Sequence, residues 1–89
     1  MIKVFFDGKC DVCSKEIVHY KSLDKGNKFD WINVAINGGA LNHRGVTQAQ
    51  ALLYLHVINE TDELMVGVDA FLTIWQELLF SLSLNLQFF

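Results

Sequence analysis

The amino-acid sequence predicts a single α/β domain in which helices flank a mixed four-stranded sheet. Short runs rich in β-branched and aromatic residues alternate with stretches in which apolar residues recur at helical spacing. The chain has 89 residues, of which 52% are hydrophobic and 19% are charged. This composition is typical of one small folded core rather than of a disordered chain or a membrane span.

The first third of the chain predicts a strand, a helix and a second strand. Residues Ile2 to Phe6 form a short apolar run that Asp7-Gly8 interrupts, as in a buried strand that ends in a turn. From about Asp11 to Lys25 the apolar residues recur at helical spacing, and Gly26-Asn27 ends the predicted helix. The run from Lys28 to Ile36 alternates in part and predicts a second strand.

After a loop rich in glycine and asparagine, the sequence predicts a short helix and a β-hairpin. Thr47 and Gln50 have the spacing of a capping box, so a helix is expected to begin there. The runs from Leu52 to Ile58 and from Glu63 to Gly67 are apolar, and the segment Asn-Glu-Thr-Asp between them favours a turn. The two runs therefore predict antiparallel partner strands.

The last part of the chain predicts an amphipathic helix. Asp69 can cap it, and its apolar stripe comprises Phe71, Ile74, Trp75, Leu78, Leu79 and Leu82. Residues 82–89 form an apolar tail for which three alternatives remain open. These are packing against the sheet, an added edge strand, and the contact of a homodimer.

Taken in order, these elements form the pattern β-α-β-α-β-β-α, which is that of a minimal thioredoxin-like domain spanning residues 1–89. A βαβ unit makes parallel strands and a terminal hairpin adds antiparallel ones, so the sheet is expected to be mixed. The order places the two cysteines of the chain directly after the first strand, at the start of the first helix.

Charge and composition narrow the class of protein. The net charge is −3 and the seven basic residues are scattered, which argues against binding to nucleic acid. The apolar part of the opening MIKVFFDG is too short for a signal-peptide core, and no membrane contact is expected, so the predicted location is cytoplasmic. A close cysteine pair in that compartment is more often catalytic, redox-sensing or metal-binding than structural.

Cys10 and Cys13 form a C-x-x-C pair with the asymmetry that a dithiol centre needs. Cys10 is expected to be exposed at the N-terminus of the first helix, where unpaired amides and the helix dipole favour a thiolate nucleophile. Cys13 is expected inside the first turn, more buried beside Ile17, as the thiol that resolves the mixed disulfide. Asp11 and Lys9 act on the thiolate in opposite directions, so a modestly activated, reducing couple is predicted.

Two other interpretations of the cysteine pair remain open. A tetrahedral zinc site needs four ligands, of which the pair supplies half, and His19, His43 and His56 are not spaced as the other half of a zinc finger. Alternatively, the two thiols are small buried core residues. Either interpretation makes the protein a non-enzymatic protein-binding module, with structural cysteines or with a zinc site that a second subunit completes.

Asp7, at the end of the first strand, is expected to have one of two roles. Its carboxylate accepts hydrogen bonds from amides at the start of the helix and so anchors the Asp-Gly turn. Alternatively, partial desolvation beside Phe5 and Phe6 makes it a base that takes or relays the proton of the resolving thiol.

The stretch FFDGKCDVC resembles the D-G-x-C-x-x-C signature of the DCC family of predicted thiol-disulfide oxidoreductases. The later stretch LHVIN…DELMVGVDAFLTIW is similar to the family's second block, a hairpin followed by Gly-x-Asp-Ala-Phe and an amphipathic helix. The two blocks cover most of the chain from Ile2 to about Leu79. The resemblance implies a thioredoxin-like fold and a dithiol redox role for Cys10 and Cys13, with Asp7 as the third signature residue.

The predicted function is that of a small dithiol thiol-disulfide oxidoreductase whose substrate is a disulfide-containing protein or a small thiol compound. No metal or organic cofactor is implied, and the expected electron source is glutathione or a thioredoxin-type reductant. Thioredoxins and glutaredoxins present backbone to their substrates with a cis-proline before the third strand, but this chain has no proline. A substrate platform near Leu52 to Leu55 is therefore expected to be built in another way.

Overall fold

The computed structural model describes the backbone of residues 1–87 and the side chains of residues 1–79. Its elements follow the predicted order, with a short 3₁₀ helix added in the loop after the second strand. The elements are β1 (Ile2–Phe6), α1 (Asp11–Leu23), β2 (Phe29–Asn33), the 3₁₀ helix (Asn42–Arg44), α2 (Gln48–Leu53), β3 (His56–Ile58), β4 (Leu64–Val66) and α3 (Val68–Gln87).

The four strands form one mixed sheet in the order β2-β1-β3-β4. β1 and β2 are parallel, with Val4 opposite Trp31, because α1 crosses over between them. β3 runs antiparallel to β1, with Val57 opposite Val4, and β4 runs antiparallel to β3. The predicted mixed four-stranded sheet is confirmed, and the architecture is consistent with a thioredoxin-like fold.

The central strand β1 contributes to two hydrophobic clusters. Ile2 and Val4 pack with buried residues of α1 and α3, among them Ile17 and Ile74. Phe5 belongs to a second cluster, with buried residues of α2, β3 and the loop after β2. Because helices cover both faces of β1, its apolar residues follow one another with little alternation. The loop that carries the cysteines therefore starts from a central strand of the sheet that packs against both hydrophobic clusters.

The strand predicted from Leu52 to Ile58 is wrong in its first half. The capping box of Thr47 and Gln50 is present as predicted. It starts a helix that continues through Leu53, so only the run from His56 onward pairs as a strand. All three residues of β3 are buried, so the strand has no alternation of apolar and polar residues. Without that alternation, an apolar run does not show where the helix ends and the strand begins.

α3 begins at Val68, so Asp69 lies inside its first turn rather than at the N-cap. A carboxylate there still interacts favourably with the helix dipole. The backbone remains helical to Gln87, so an added edge strand is wrong for residues 82–87. The contacts expected of the tail, against the sheet or in a homodimer, lie outside the described side chains. None of the described helices is both long enough and apolar enough to cross a membrane.

Candidate active site

The loop that carries the cysteines begins at Asp7, directly after β1. The Asp7 carboxylate accepts the amide of Lys9 (3.0 Å), and the Asp7 carbonyl accepts the amide of Cys10 (3.3 Å). These bonds fold Asp7 to Cys10 into a tight turn, so the carboxylate does anchor the loop. It reaches Lys9 rather than an amide of α1, because Cys10 occupies the capping position of that helix.

Gly8 is held from both sides by polar side chains that sequence reasoning missed. Its amide donates to Asn33 Oδ1 (2.9 Å), and its carbonyl accepts Ser14 Oγ (2.9 Å). Asn33 Oδ1 also accepts the amide of Ala35 (3.0 Å), and the chain turns there, so β2 ends before the predicted limit at Ile36. The sequence has a polar side chain at the carboxyl end of this strand, after Trp31 and Ile32, but no local pattern identifies Gly8 as its partner.

Cys10 is the N-cap residue of α1. Its backbone is extended (φ −81°, ψ 114°), and its Sγ accepts the amide of Cys13 at 3.4 Å. The two Sγ atoms share a hydrogen bond of 2.6 Å, and both cysteines are free thiols. The Cys10 sulfur therefore lies at the end of α1 where the first amides carry the positive end of the helix dipole.

The Cys13 thiol holds its proton more tightly than an ordinary thiol. Its pKa is raised from 9.0 to about 11, first by the hydrogen bond with Cys10 and then by partial desolvation. The negative charges of Cys10, Asp7 and Glu16 raise this pKa further. The pair therefore places one sulfur, that of Cys10, at the helix N-terminus and beside it a thiol, that of Cys13, which resists ionisation.

The predicted difference in burial between the two cysteines is wrong. Cys13 is exposed, whereas Cys10 is half-buried. Ile17, one turn along the helix, does lie in the core, but the core does not extend to the first turn, where Cys13 borders an open groove. Cys10 is partly covered because its side chain folds back over the helix start as a cap. Since neither thiol lies in the core, the interpretation of the pair as inert core residues is also wrong.

The groove beside Cys13 has a volume of about 360 Å³. Side chains of α1 and α3, including Tyr20 and Phe71, line it together with the segment from Leu52 to Leu55. Asp7 lines it as well. The structure therefore brings the three predicted site residues together, with Cys13 and Asp7 in the groove wall and the sulfur of Cys10 bonded to Cys13.

The groove wall formed by Tyr54 and Leu55 is held in place by hydrogen bonds. It contains no cis peptide bond, and none is present elsewhere in the described part of the chain. Tyr54 leaves α2 with an extended backbone (φ −138°, ψ 150°). Nδ1 of the buried His56 lies 2.7 Å from the Tyr54 carbonyl, which only accepts, so this ring nitrogen carries the hydrogen. The Leu55 carbonyl accepts the amide of Gly67 (2.8 Å). A buried imidazole and the β-hairpin thus hold the segment in which the sequence predicts a substrate platform.

In the part of the chain that the structure describes, no three His, Cys, Asp or Glu side chains lie close enough together to hold a metal ion. His19 is exposed on α1 and His43 lies in the 3₁₀ helix. His56 is buried and bonded to the Tyr54 carbonyl. The described residues of one chain therefore supply the two thiol ligands alone.

A C-x-x-C pair at the junction of the first strand and first helix of such a sheet defines the class of dithiol proteins with a thioredoxin-like fold. Residues 4–89 match the family model of the DCC1-like thiol-disulfide oxidoreductases, and the chain belongs to that family. The match includes Asp7, Cys10 and Cys13, so the resemblance seen in the sequence is confirmed. No curated protein and no solved structure shows a significant match to the chain.

Proposed function

We propose that the protein is a small dithiol thiol-disulfide oxidoreductase in which Cys10 attacks the substrate and Cys13 resolves the mixed disulfide. The observation that carries this proposal is the shared hydrogen bond between the two sulfur atoms at the N-terminus of α1. The raised pKa of Cys13 keeps the proton on that sulfur, which suits the thiol that reacts second. Family membership supports the same class of activity.

The reaction proceeds in two exchange steps. The Cys10 thiolate attacks one sulfur of the substrate disulfide, forms a mixed disulfide, and releases the other substrate sulfur as a thiolate that takes up a proton. Cys13 then loses its proton and attacks the sulfur of Cys10, which releases the second substrate thiol and leaves a Cys10–Cys13 disulfide. Two electrons pass from the dithiol to the substrate. A thiol reductant, either glutathione or a thioredoxin-type protein, returns them.

The second step is helped by a change in the hydrogen bond between the sulfurs. The bond to Cys10 is the largest cause of the raised pKa of Cys13, and it weakens once Cys10 becomes a neutral disulfide sulfur. Cys13 can then ionise more readily. Asp7 lines the same groove and is the proposed acceptor or relay of the departing proton. Its bond to the Lys9 amide holds the carboxylate at the loop.

The test measures the redox equilibrium of the Cys10–Cys13 pair by thiol labelling in glutathione and dithiothreitol buffers. We expect a reversible two-electron couple at roughly −270 to −200 mV. Cys13→Ser is expected to accumulate a mixed disulfide with a model disulfide substrate, whereas Cys10→Ser is not. If the wild-type pair never forms a disulfide, the proposal is wrong. If Cys10→Ser traps substrate and Cys13→Ser does not, the two roles are reversed.

The competing hypothesis is a binding module whose cysteine pair is half of a zinc site completed by a second subunit. Zinc content and the mass in solution separate the two functions. Stoichiometric zinc in a dimer would support the binding module and contradict the redox proposal.

The proposed location is the cytoplasm, because a reducing compartment suits a dithiol in its reduced form.

A further inference from the structure

The groove beside Cys13 carries negative charge at its cysteine end. Asp7 and Glu16 line it, and among the described lining residues there is no lysine, arginine or histidine. Lys21 lies nearby, with its ammonium 5.6 Å from the centre of the Phe6 ring, but it does not line the groove. Asp7 and Glu16 both raise the pKa of Cys13 through their charge. A disulfide that approaches Cys13 along the groove therefore meets two carboxylates in the groove wall.

The remaining wall of the groove is apolar and open to solvent. Leu53, Tyr54 and Val68 are 72%, 62% and 74% exposed, and Leu52 and Phe71 are exposed as well. These side chains surround a single groove instead of being scattered over the surface. A contiguous apolar surface of this kind favours a ligand that covers it with apolar side chains.

The same wall offers a backbone donor. Within the described part of the chain, the amide of Leu55 donates to no backbone carbonyl. The backbone is extended at Tyr54, and His56 bonds to the Tyr54 carbonyl. An extended polypeptide carries carbonyl groups at regular spacing, one of which can accept the Leu55 amide. A ligand without a peptide backbone at this position leaves that donor unmatched.

We propose that the groove selects an extended polypeptide segment with apolar, neutral or basic side chains beside its disulfide, and discriminates against glutathione disulfide. This inference rests on the redox function proposed above. Each half of glutathione disulfide is anionic, since its two carboxylates outnumber its one amine. Asp7 and Glu16 therefore repel it, and it has no apolar side chain to pack against the apolar wall. The reductant that returns electrons to the pair then approaches as a protein surface rather than as glutathione.

The experiment measures the rate at which the reduced full-length protein reacts with three disulfides. One is a peptide disulfide with leucine and phenylalanine beside its cysteines, one is the same peptide with glutamates there, and one is glutathione disulfide. Each rate is divided by the rate of the same disulfide with dithiothreitol, which removes differences in intrinsic reactivity. We expect the apolar peptide to react at least about tenfold faster than the two anionic disulfides.

Variants assign the selectivity to the groove. Glu16→Lys is expected to raise the rate with both anionic disulfides, and Leu53→Asp to lower the rate with the apolar peptide. Val18→Asp is the matched control, because Val18 is 66% exposed on α1 but does not line the groove. It is expected to leave all three rates unchanged.

The outcomes separate this inference from the proposed function. Equal normalised rates for the three disulfides, or rates unchanged by Glu16→Lys and Leu53→Asp, overturn the selectivity while dithiol exchange stands. A preference for glutathione disulfide overturns it as well. If none of the disulfides reacts although both thiols are labelled by iodoacetamide, the proposed function itself fails, and this inference fails with it.

Discussion

Gly8 and Asn33 lie so close together that a side chain at Gly8 would displace the Asn33 side chain or the loop. A Cβ built on Gly8 would stand 2.0 Å from the Asn33 Nδ2 atom and 2.4 Å from its carboxamide carbon. The same asparagine accepts the Gly8 amide at 2.9 Å. One contact thus joins the end of β2 to the loop that presents the cysteines, and it explains in physical terms why glycine stands in the Asp-Gly step.

Gly8→Ala is expected to destabilise the fold and to displace the cysteine loop. The added methyl group forces either the Asn33 side chain or the loop to move, at a cost of about 1–3 kcal/mol in the free energy of unfolding. Urea denaturation measures that cost, and the rate of iodoacetamide labelling reports on the loop. Gly26→Ala is the matched control, because a Cβ there meets only the Lys28 side chain, at 3.6 Å. Equal stability of the two variants would contradict the proposed contact.

Asn33→Ala is expected to destabilise the protein for a different reason. The Gly8 and Ala35 amides both lose their acceptor, which costs about 1–3 kcal/mol where water does not replace it. Because the shorter side chain also makes room at Gly8, the double variant Gly8→Ala, Asn33→Ala should be less destabilised than the sum of the single variants. Urea denaturation of all four proteins tests this, and strict additivity would show that the two residues are not coupled.

The hydrogen bond between the sulfurs predicts a pH dependence. The pKa of Cys13 is raised from 9.0 to about 11 in the folded protein, so the protonated form stabilises the fold. This stabilisation is complete below pH 9.0, where the unfolded thiol is also protonated, and it is lost as the pH rises toward about 11. The free energy of unfolding should therefore fall across that interval for the wild type.

Alkylation of Cys13 by iodoacetamide, assigned by fragment mass spectrometry, should follow the same raised pKa. In Cys10→Ala the largest cause of the shift is gone, so the midpoint for Cys13 should move down toward 9.0. Cys10→Ala should also show a smaller loss of stability across the alkaline interval. An unchanged midpoint in the variant would mean that desolvation and the carboxylates, not the partner sulfur, hold the proton on Cys13.

The order of elements and the position of the cysteines were predictable because both follow from local patterns. The apolar run of β1, the Asp-Gly step and the capping box of α2 each act over a few residues. The burial of the cysteines was not predictable. Helical spacing puts Cys13 on the same face as Ile17, but it does not show where the core ends. Only the packing of α1 against the sheet leaves Ile17 inside and Cys13 at the groove.

Long-range polar contacts were equally beyond sequence reasoning. Asn33 and Gly8 are 25 residues apart, and nothing in either local pattern indicates their hydrogen bond. His56, a polar residue within an apolar run of the sequence, starts β3 three residues after α2 ends. The structure shows that its imidazole bonds to the Tyr54 carbonyl, a contact that the strand pattern does not indicate.

His56 is expected to support activity by holding the groove wall. His56→Leu removes the donor to the Tyr54 carbonyl, which should cost about 1–3 kcal/mol in stability and loosen the wall at Tyr54 and Leu55. The rate with the apolar peptide disulfide should fall about tenfold as positioning is lost, while iodoacetamide labelling of Cys10 stays as in the wild type.

His56→Asn can place an amide nitrogen near the position of Nδ1 and should recover much of the lost rate. This recovery separates a hydrogen bond from simple packing, because leucine fills the buried space better than asparagine does. If the asparagine variant is the poorer of the two, packing is what His56 provides. If both variants react with the peptide as the wild type does, the Tyr54–Leu55 segment is held by its bond to the hairpin at Gly67 alone.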